Sequence, residues 1–324
     1  MFDRNFQRIQ TNGITLNAVV EGDGPLVVML HGFPQSSFLW RHQIDAVVGA
    51  GFTVAVPNQR GYADSDAPAE LSAYNMRELA NDVAGIPAAL GHDQAIVIGH
   101  DFGSIVAWHT ALLHEDIFTA VMGLSVPYTR APSTDGFINP EGFDDKFWYI
   151  RYFQEPGVAE AEMEADVRKT LLATYYTISG SSPDGSWMAQ LDHPKSSGYV
   201  DAMITPDALP DWLSEAELDY HVAQLQKSGL RGPINWYRNI PVMNEVTPEL
   251  DTKKVSQPAA FVAGADDDVL KYIPDTPWAA LMKDWFEDLR FQTFIEGAGH
   301  WVQIEKPAET TREILRFLEM VRPT

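Results

Sequence analysis

The sequence predicts an α/β protein: a mostly parallel sheet flanked by helices, with a helical lobe inserted into it. Three observations carry that expectation. Short, continuous apolar runs alternate with helical spacing over the first third of the chain. Strand-like runs are absent from about residue 130 to 244, and they resume after it, followed by a last helix. Strands alternating with helices imply parallel pairing with helices on both faces. A chain of 324 residues suits one large domain or a core with a second lobe.

The elements read in order as follows. Thr15 to Glu21 is a strand, closed by the turn Gly22-Asp23-Gly24-Pro25. Leu26-Val27-Val28-Met29-Leu30 is apolar throughout, as a strand buried on both faces requires. Phe38 to Ala50 has helical spacing and stops at Gly51, and Thr53 to Val56 is a short strand. Met76 to Leu90 is helical, with Pro87 bending it and Gly91 closing it. Ala95-Ile96-Val97-Ile98 is a buried strand, Phe102 to His114 a helix, and Val121 to Val126 a further strand. Beyond Pro127 the pattern becomes helical, around Phe147, Ala159 to Ile178, Ser214 to Lys227 and Asn235 to Arg238. Ala259 to Val262 and Phe291 to Ile295 resume the strands, with Trp278 to Glu287 helical between them and Pro307 to Val321 helical at the end. The expected division is core at 1–129, helical cap at 130–244 and core again at 245–324.

Composition excludes several classes of function. With 23 Lys+Arg against 45 Asp+Glu, the net charge is −22, which disfavours a nucleic-acid partner and an anionic membrane surface. The absence of Cys removes disulfides, thiolate metal sites and cysteine nucleophiles. Met1-Phe2-Asp3-Arg4-Asn5 does not begin a secretory leader. No apolar stretch nears ~18 residues, so no membrane span is expected. A cytoplasmic protein, monomer or homodimer, is the expectation.

The strongest local signal is Gly99-His100-Asp101-Phe102-Gly103, between a buried strand and a helix. Small residues around a central nucleophile make the sharp strand-to-helix turn usually written G-x-S-x-G. Here Asp101 holds the central position. A carboxylate attacks a carbonyl poorly, because the anhydride is unstable. It is competent in an in-line attack on a polarised saturated carbon, giving an alkyl-enzyme ester. Cleaving that ester with water needs a base, and Gly297-Ala298-Gly299-His300-Trp301 supplies His300 after the last strand. The carboxylate that orients the imidazole is expected after the strand at 259–263, where Asp266, Asp267 and Asp268 stand side by side. The order nucleophile, acid, His fits this arrangement. His31-Gly32-Phe33-Pro34 can turn the Phe33 amide beside that of Phe102 to make an oxyanion hole.

At these residues the chain resembles the α/β-hydrolase superfamily, in its branch of epoxide hydrolases and haloalkane dehalogenases. His31-Gly32-Phe33-Pro34, Gln59-Arg60-Gly61-Tyr62, Gly99 to Gly103 and Gly297 to His300 carry the likeness. Two segments of the lobe resemble the cap of soluble epoxide hydrolases: Tyr152-Phe153-Gln154-Glu155-Pro156-Gly157-Val158-Ala159-Glu160 and Gly232-Pro233-Ile234-Asn235-Trp236-Tyr237-Arg238. The resemblance implies an α/β-hydrolase fold with a helical lid and an enzyme that converts a small apolar epoxide and water to a vicinal diol. It matches Asp101 to the nucleophile, His300 to the base, Asp267 to the acid, and the Phe33 and Phe102 amides to the oxyanion hole. Tyr237 matches one ring-opening tyrosine and Tyr149 the other, with Tyr152 as the rival. No metal or organic cofactor is implied, because every role falls to a side chain.

Two departures qualify the match. Phe102 stands where many members have Trp, and a halide-releasing enzyme uses that indole N–H. A haloalkane dehalogenase is therefore the weaker alternative, beside a non-catalytic ligand-binding member of the fold. Ala63 replaces a frequent Gly in a loop. Trp40 and Phe153 are expected in the substrate pocket, with Trp108 and Met188 as further candidates, although the core is the commoner place for such residues. Phenols remain protonated below ~10, and two hydroxyls sharing one site would draw the first pKa down.

Overall fold

Eight strands form one sheet in the order β1-β2-β4-β3-β5-β6-β7-β8. They are β1 (Phe6–Thr11), β2 (Ile14–Glu21), β3 (Leu26–Leu30), β4 (Thr53–Asn58), β5 (Ala95–His100), β6 (Phe118–Leu124), β7 (Ala259–Gly264) and β8 (Leu289–Ile295). β1 and β2 pair antiparallel, as do β2 and β4; every pair from β4 through β8 is parallel. The computed structural model describes residues 4–130, 134–271 and 278–322. Met1, Phe2 and Asp3 of the leader reading lie outside the described residues, as do residues 131–133 of the expected cap.

β3, β5 and β7 are buried along their whole length, as their unbroken apolar runs require. β1 was not expected. Its sequence, Phe-Gln-Arg-Ile-Gln-Thr, buries only Ile9 and Thr11, because it is an edge strand paired on one side. Its alternation is hidden by polar residues on the solvent face.

The helices differ from expectation mainly where a cap or turn intervenes. Phe38 to Ala50 divides into a 3-10 turn at Ser37–Trp40 and a helix at Ile44–Gly49. Ala159 to Ile178 divides into Val158–Met163 and Val167–Thr177, because Asp166 accepts from the Lys169 amide at 2.9 Å and starts a new helix. The helix expected at Asn235 begins earlier, at Arg231. Pro233 falls in its first turn, where an amide has no intrahelical acceptor.

Between β6 and β7 the described residues form helices, turns and two isolated bridges, Lys146 with Pro194 and Val255 with Phe286 beyond the segment. Two of the places that fasten this segment to the core lie beside the motifs. At one, Gly232 packs so closely on Gly61 that a Cβ on Gly61 would lie 2.9 Å from the Gly232 Cα. There the Trp236 indole also donates to the Arg60 carbonyl at 3.1 Å. At the other, the His300 amide donates to Ile178 and the Trp301 indole donates to Tyr175. Ala63, the departure noted above, takes φ 49°, a left-handed conformation that costs a non-glycine residue roughly 1–2 kcal/mol. Among the described residues no helix is long and apolar enough to cross a membrane.

Candidate active site

The turn after β5 brings Asp101 to His300 and to the Phe33 amide. Asp101 takes φ 55° and ψ −126° at the start of the helix Phe102–Leu113, a conformation that costs on the order of 1–3 kcal/mol. The flanking glycines make it possible: a Cβ on Gly99 would lie 2.0 Å from the Gly103 carbonyl oxygen, and one on Gly103 would lie 2.3 Å from that of His31. Gly32 is required for another reason, because a Cβ there would sit 2.3 Å from Asp101 Oδ1.

The Phe33 amide donates to Asp101 Oδ1 at 2.8 Å, and the Phe102 amide also bonds the carboxylate. Asp101 Oδ2 lies 3.4 Å from His300 Nε2. On the far side of the ring, His300 Nδ1 is 3.0 Å from Asp267 Oδ2 and 3.3 Å from Oδ1. Asp267 is 1% exposed, while Asp266 faces solvent and Asp268 is turned to Lys271 and the Trp187 amide. Of the three adjacent aspartates, only Asp267 meets His300.

The electrostatics follow from this geometry. Burial alone would lower the His300 pKa; it is outweighed by the charge of Asp267 and the hydrogen bonds of both carboxylates, which raise it to about 10. Burial would likewise raise Asp101, and the His300 bond and charge, with the Phe102 amide, hold it below the usual carboxylate range. The free site is therefore an imidazolium between two carboxylates.

Four further residues hold this arrangement. His31 Nε2 accepts from the Gln59 amide at 3.0 Å, so Nδ1 carries the proton and donates to the Gly32 carbonyl at 3.0 Å. His100 Nε2 donates to the His300 carbonyl at 2.8 Å, and burial drives its pKa down to about 3, so it stays neutral. Ser125 Oγ donates to the same carbonyl at 2.8 Å. Glu305 accepts from the amides of Gly180, Gly299 and Trp301 at 2.7, 3.0 and 2.9 Å. Burial lifts its carboxyl to about 7 despite those three donors. These supports were not foreseen. His31 and His100 stand inside the quoted motifs, which is the only sequence signal; Ser125 and Glu305 gave none.

A cavity of about 190 Å³ opens above Asp101. Tyr149 and Tyr237 line it together with Asp101 and Phe102. Tyr237 is held where the segment around Phe153 and Glu160 meets the helix Arg231–Arg238. Arg238 pairs with Glu160 at 2.6 and 2.9 Å and donates to the Phe153 carbonyl, while Gln154 donates to the Tyr237 carbonyl at 3.2 Å. The Tyr237 ring stands edge-on to Phe33 and Phe102, 5.2 Å from each, and 5.8 Å from Tyr149. Burial first, then the charge of Asp101, pushes the Tyr237 pKa well above its ordinary value, contrary to the lowering expected of paired phenols. Tyr152 does not line the cavity; its hydroxyl donates to Glu162 at 2.6 Å.

The two pocket assignments are corrected. Trp40 is fully buried in the core and Phe153 sits behind Tyr149 and Tyr237; neither lines the cavity. Met188 does not line it either, whereas Trp108 does, beside Trp148 and Trp187.

Residues 25–307 match the α/β hydrolase fold family. The chain is 38% identical over 317 residues to Epoxide hydrolase A of Mycobacterium tuberculosis (strain ATCC 25618 / H37Rv), covering 96% of each protein. It superposes on the crystal structure of Epoxide Hydrolase A from Mycobacterium thermoresistibile with a TM-score of 0.90 and 39% identity, over 99% of this chain and 100% of that one. It superposes on an epoxide hydrolase from an endophytic Streptomyces with a TM-score of 0.92 and 37% identity, over 99% and 97% of the two chains.

Proposed function

The chain belongs to the α/β-hydrolase fold family and, within it, to the epoxide hydrolases, and on that premise we propose that it converts a small apolar epoxide and water to a vicinal diol through a covalent ester on Asp101. One observation supports the mechanism above the rest: Asp101, backed by His300 and Asp267, shares one cavity with Tyr149 and Tyr237.

Asp101 Oδ1 is held by the Phe33 amide, so it becomes the ester carbonyl oxygen. Oδ2, beside His300, is the attacking atom. As the new C–O bond forms, the ring C–O bond breaks and the negative charge passes to the ring oxygen, which the Tyr149 and Tyr237 hydroxyls hold. The raised pKa of Tyr237 keeps that donor protonated at neutral pH. The ester carries no charge, so one of the two carboxylates that sustain the imidazolium is gone. The His300 pKa falls from about 10, so the imidazolium gives up its proton, which balances the one the ring oxygen takes up, and the neutral ring can then take a proton from water. That water attacks the ester carbon, the Phe33 and Phe102 amides hold the oxyanion, and collapse expels Oδ2 with the diol, which takes the proton from His300; the regenerated Asp101 carboxyl then returns its proton to the imidazole. The helical segment between β6 and β7 acts as the cap and, when closed, excludes bulk water.

The test is a single turnover of styrene oxide in ¹⁸O-labelled water. The diol should emerge unlabelled, with the label in the carboxyl of Asp101. Label in the diol on the first turnover would instead mean direct attack by water. Asp267→Asn should lose most ester hydrolysis, because the imidazolium loses its partner, whereas exposed Asp266→Asn should turn over normally in the same assay. Loss in Asp266→Asn alone would shift the acid by one residue.

A further inference from the structure

The cavity does not end at the reacting groups. It runs beside the helix Phe102–Leu113, whose Phe102, Ile105 and His109 all line it. Seven residues separate Phe102 from His109, which places the imidazole roughly 10 Å along the helix axis from the elbow. Tyr128 lines the same end. It is 2% exposed, and among the described residues its hydroxyl has no hydrogen-bond partner. A buried hydroxyl is rarely left in that state.

His109, 3% exposed, stands edge-on to Tyr128 with ring centroids 5.8 Å apart. Its Nδ1 lies 2.8 Å from the Ile105 carbonyl, which can only accept, so Nδ1 carries the proton and Nε2 is a bare acceptor. Burial, with the nearby charge of Arg130, lowers the pKa to about 4 and keeps the ring neutral. Arg130 itself is turned away, donating to Asp251, Thr247 and Asn244.

We propose that Tyr128 and His109 form a distal subsite for a neutral group that both donates and accepts, a terminal hydroxyl or primary amide, on an epoxide whose body is hydrocarbon. This rests on the reading of the Asp101 cavity as an epoxide site. The Tyr128 hydroxyl donates to the ligand oxygen, and the ligand O–H or N–H donates to His109 Nε2. A carboxylate is excluded because it would face the Nε2 lone pair with the nearest cation already engaged. An ammonium is excluded because its charge would be desolvated among Trp108, Tyr128 and Ile105.

The experiment compares terminal epoxides of increasing chain length, each ending in methyl or hydroxyl, on the wild-type protein and on Tyr128→Phe. Once the chain reaches the subsite, kcat/KM should favour hydroxyl over methyl by about tenfold, the span of one well-made hydrogen bond, and short pairs should show no preference. In Tyr128→Phe the ratio should fall to about one, with no loss of Tm, since the atom removed is unpaired. A ratio unchanged by the substitution, or no preference at any length, overturns the proposal. A second arm needs no turnover: binding of chemically inert alkyl amides with hydroxyl or methyl ends, followed by quenching of the cavity tryptophans. A hydroxyl preference in binding that Tyr128→Phe abolishes, with no diol from any epoxide, would sink the epoxide reading and leave the subsite standing.

Discussion

His300→Gln should accumulate alkylated protein. The substitution leaves Asp101 Oδ2 free to open the ring and removes the group that activates water. A positioned general base contributes about 10²–10⁴-fold, so ester hydrolysis should fall by that order while the first step continues. Intact-mass spectrometry after mixing with styrene oxide should show the mass of one epoxide added, on the peptide that contains Asp101. Asp101→Ala should show neither adduct nor diol. The pH dependence has a definite sign. Asp101 is held below its ordinary range by the His300 cation, so its pKa rises in His300→Gln and alkylation fails at a higher pH than in the wild type. Wild-type ester hydrolysis should also fall as pH drops, because the ester-bound His300 is then reprotonated. Steady turnover of His300→Gln with no adduct under rapid quench would rule out this role.

The double variant Tyr149→Phe/Tyr237→Phe should be nearly inactive in alkylation. The alkoxide would form with no donor in a site of low effective dielectric, where an unsatisfied charge is most costly. Each single variant keeps one donor, so the loss should be partial, roughly 10²-fold for a single hydrogen bond to a developing oxyanion. Pre-steady-state alkylation followed by Trp fluorescence measures it. Tyr152→Phe should alkylate normally, because its hydroxyl is committed to Glu162, which also accepts from the Tyr199 and Val200 amides. Any alkaline loss of activity should not come from Tyr237, whose pKa lies well above the ordinary phenol value. An undiminished rate in Tyr237→Phe would remove the ring-opening role assigned to the cap.

Asp101 and His300 were legible because each stands in a short motif at the end of a recognisable strand. Asp267 was not legible from the residues alone. Three adjacent aspartates share composition and context, and what separates them is direction: one faces solvent, one faces Lys271 and one faces the imidazole. Tyr149 and Tyr152 posed the same problem on one helical turn, and Glu162, ten residues on, distinguishes them. Trp40 and Phe153 were misjudged because an aromatic residue near a motif looks the same whether it fills the core or lines a cavity. The contacts that hold His300 in place were invisible for a topological reason. His100 and Ser125 meet its carbonyl across 200 and 175 residues of chain, and no local pattern reports such a pairing.

The joint between the cap and the His300 loop bears on how chimaeras of this fold can be built. Ile178 and Gly180 are bonded to His300 and to Glu305, and a Cβ on Gly299 would lie 2.3 Å from the Gly180 nitrogen. Residues 175–180 and 299–305 thus behave as one recombination block, though they lie in different parts of the sequence. A cap transplanted from a relative without its matching 299–305 partner would arrive with the base misaligned, however well its tyrosines were preserved. Exchange of both pieces together is the cut that keeps the two halves of the reaction in register.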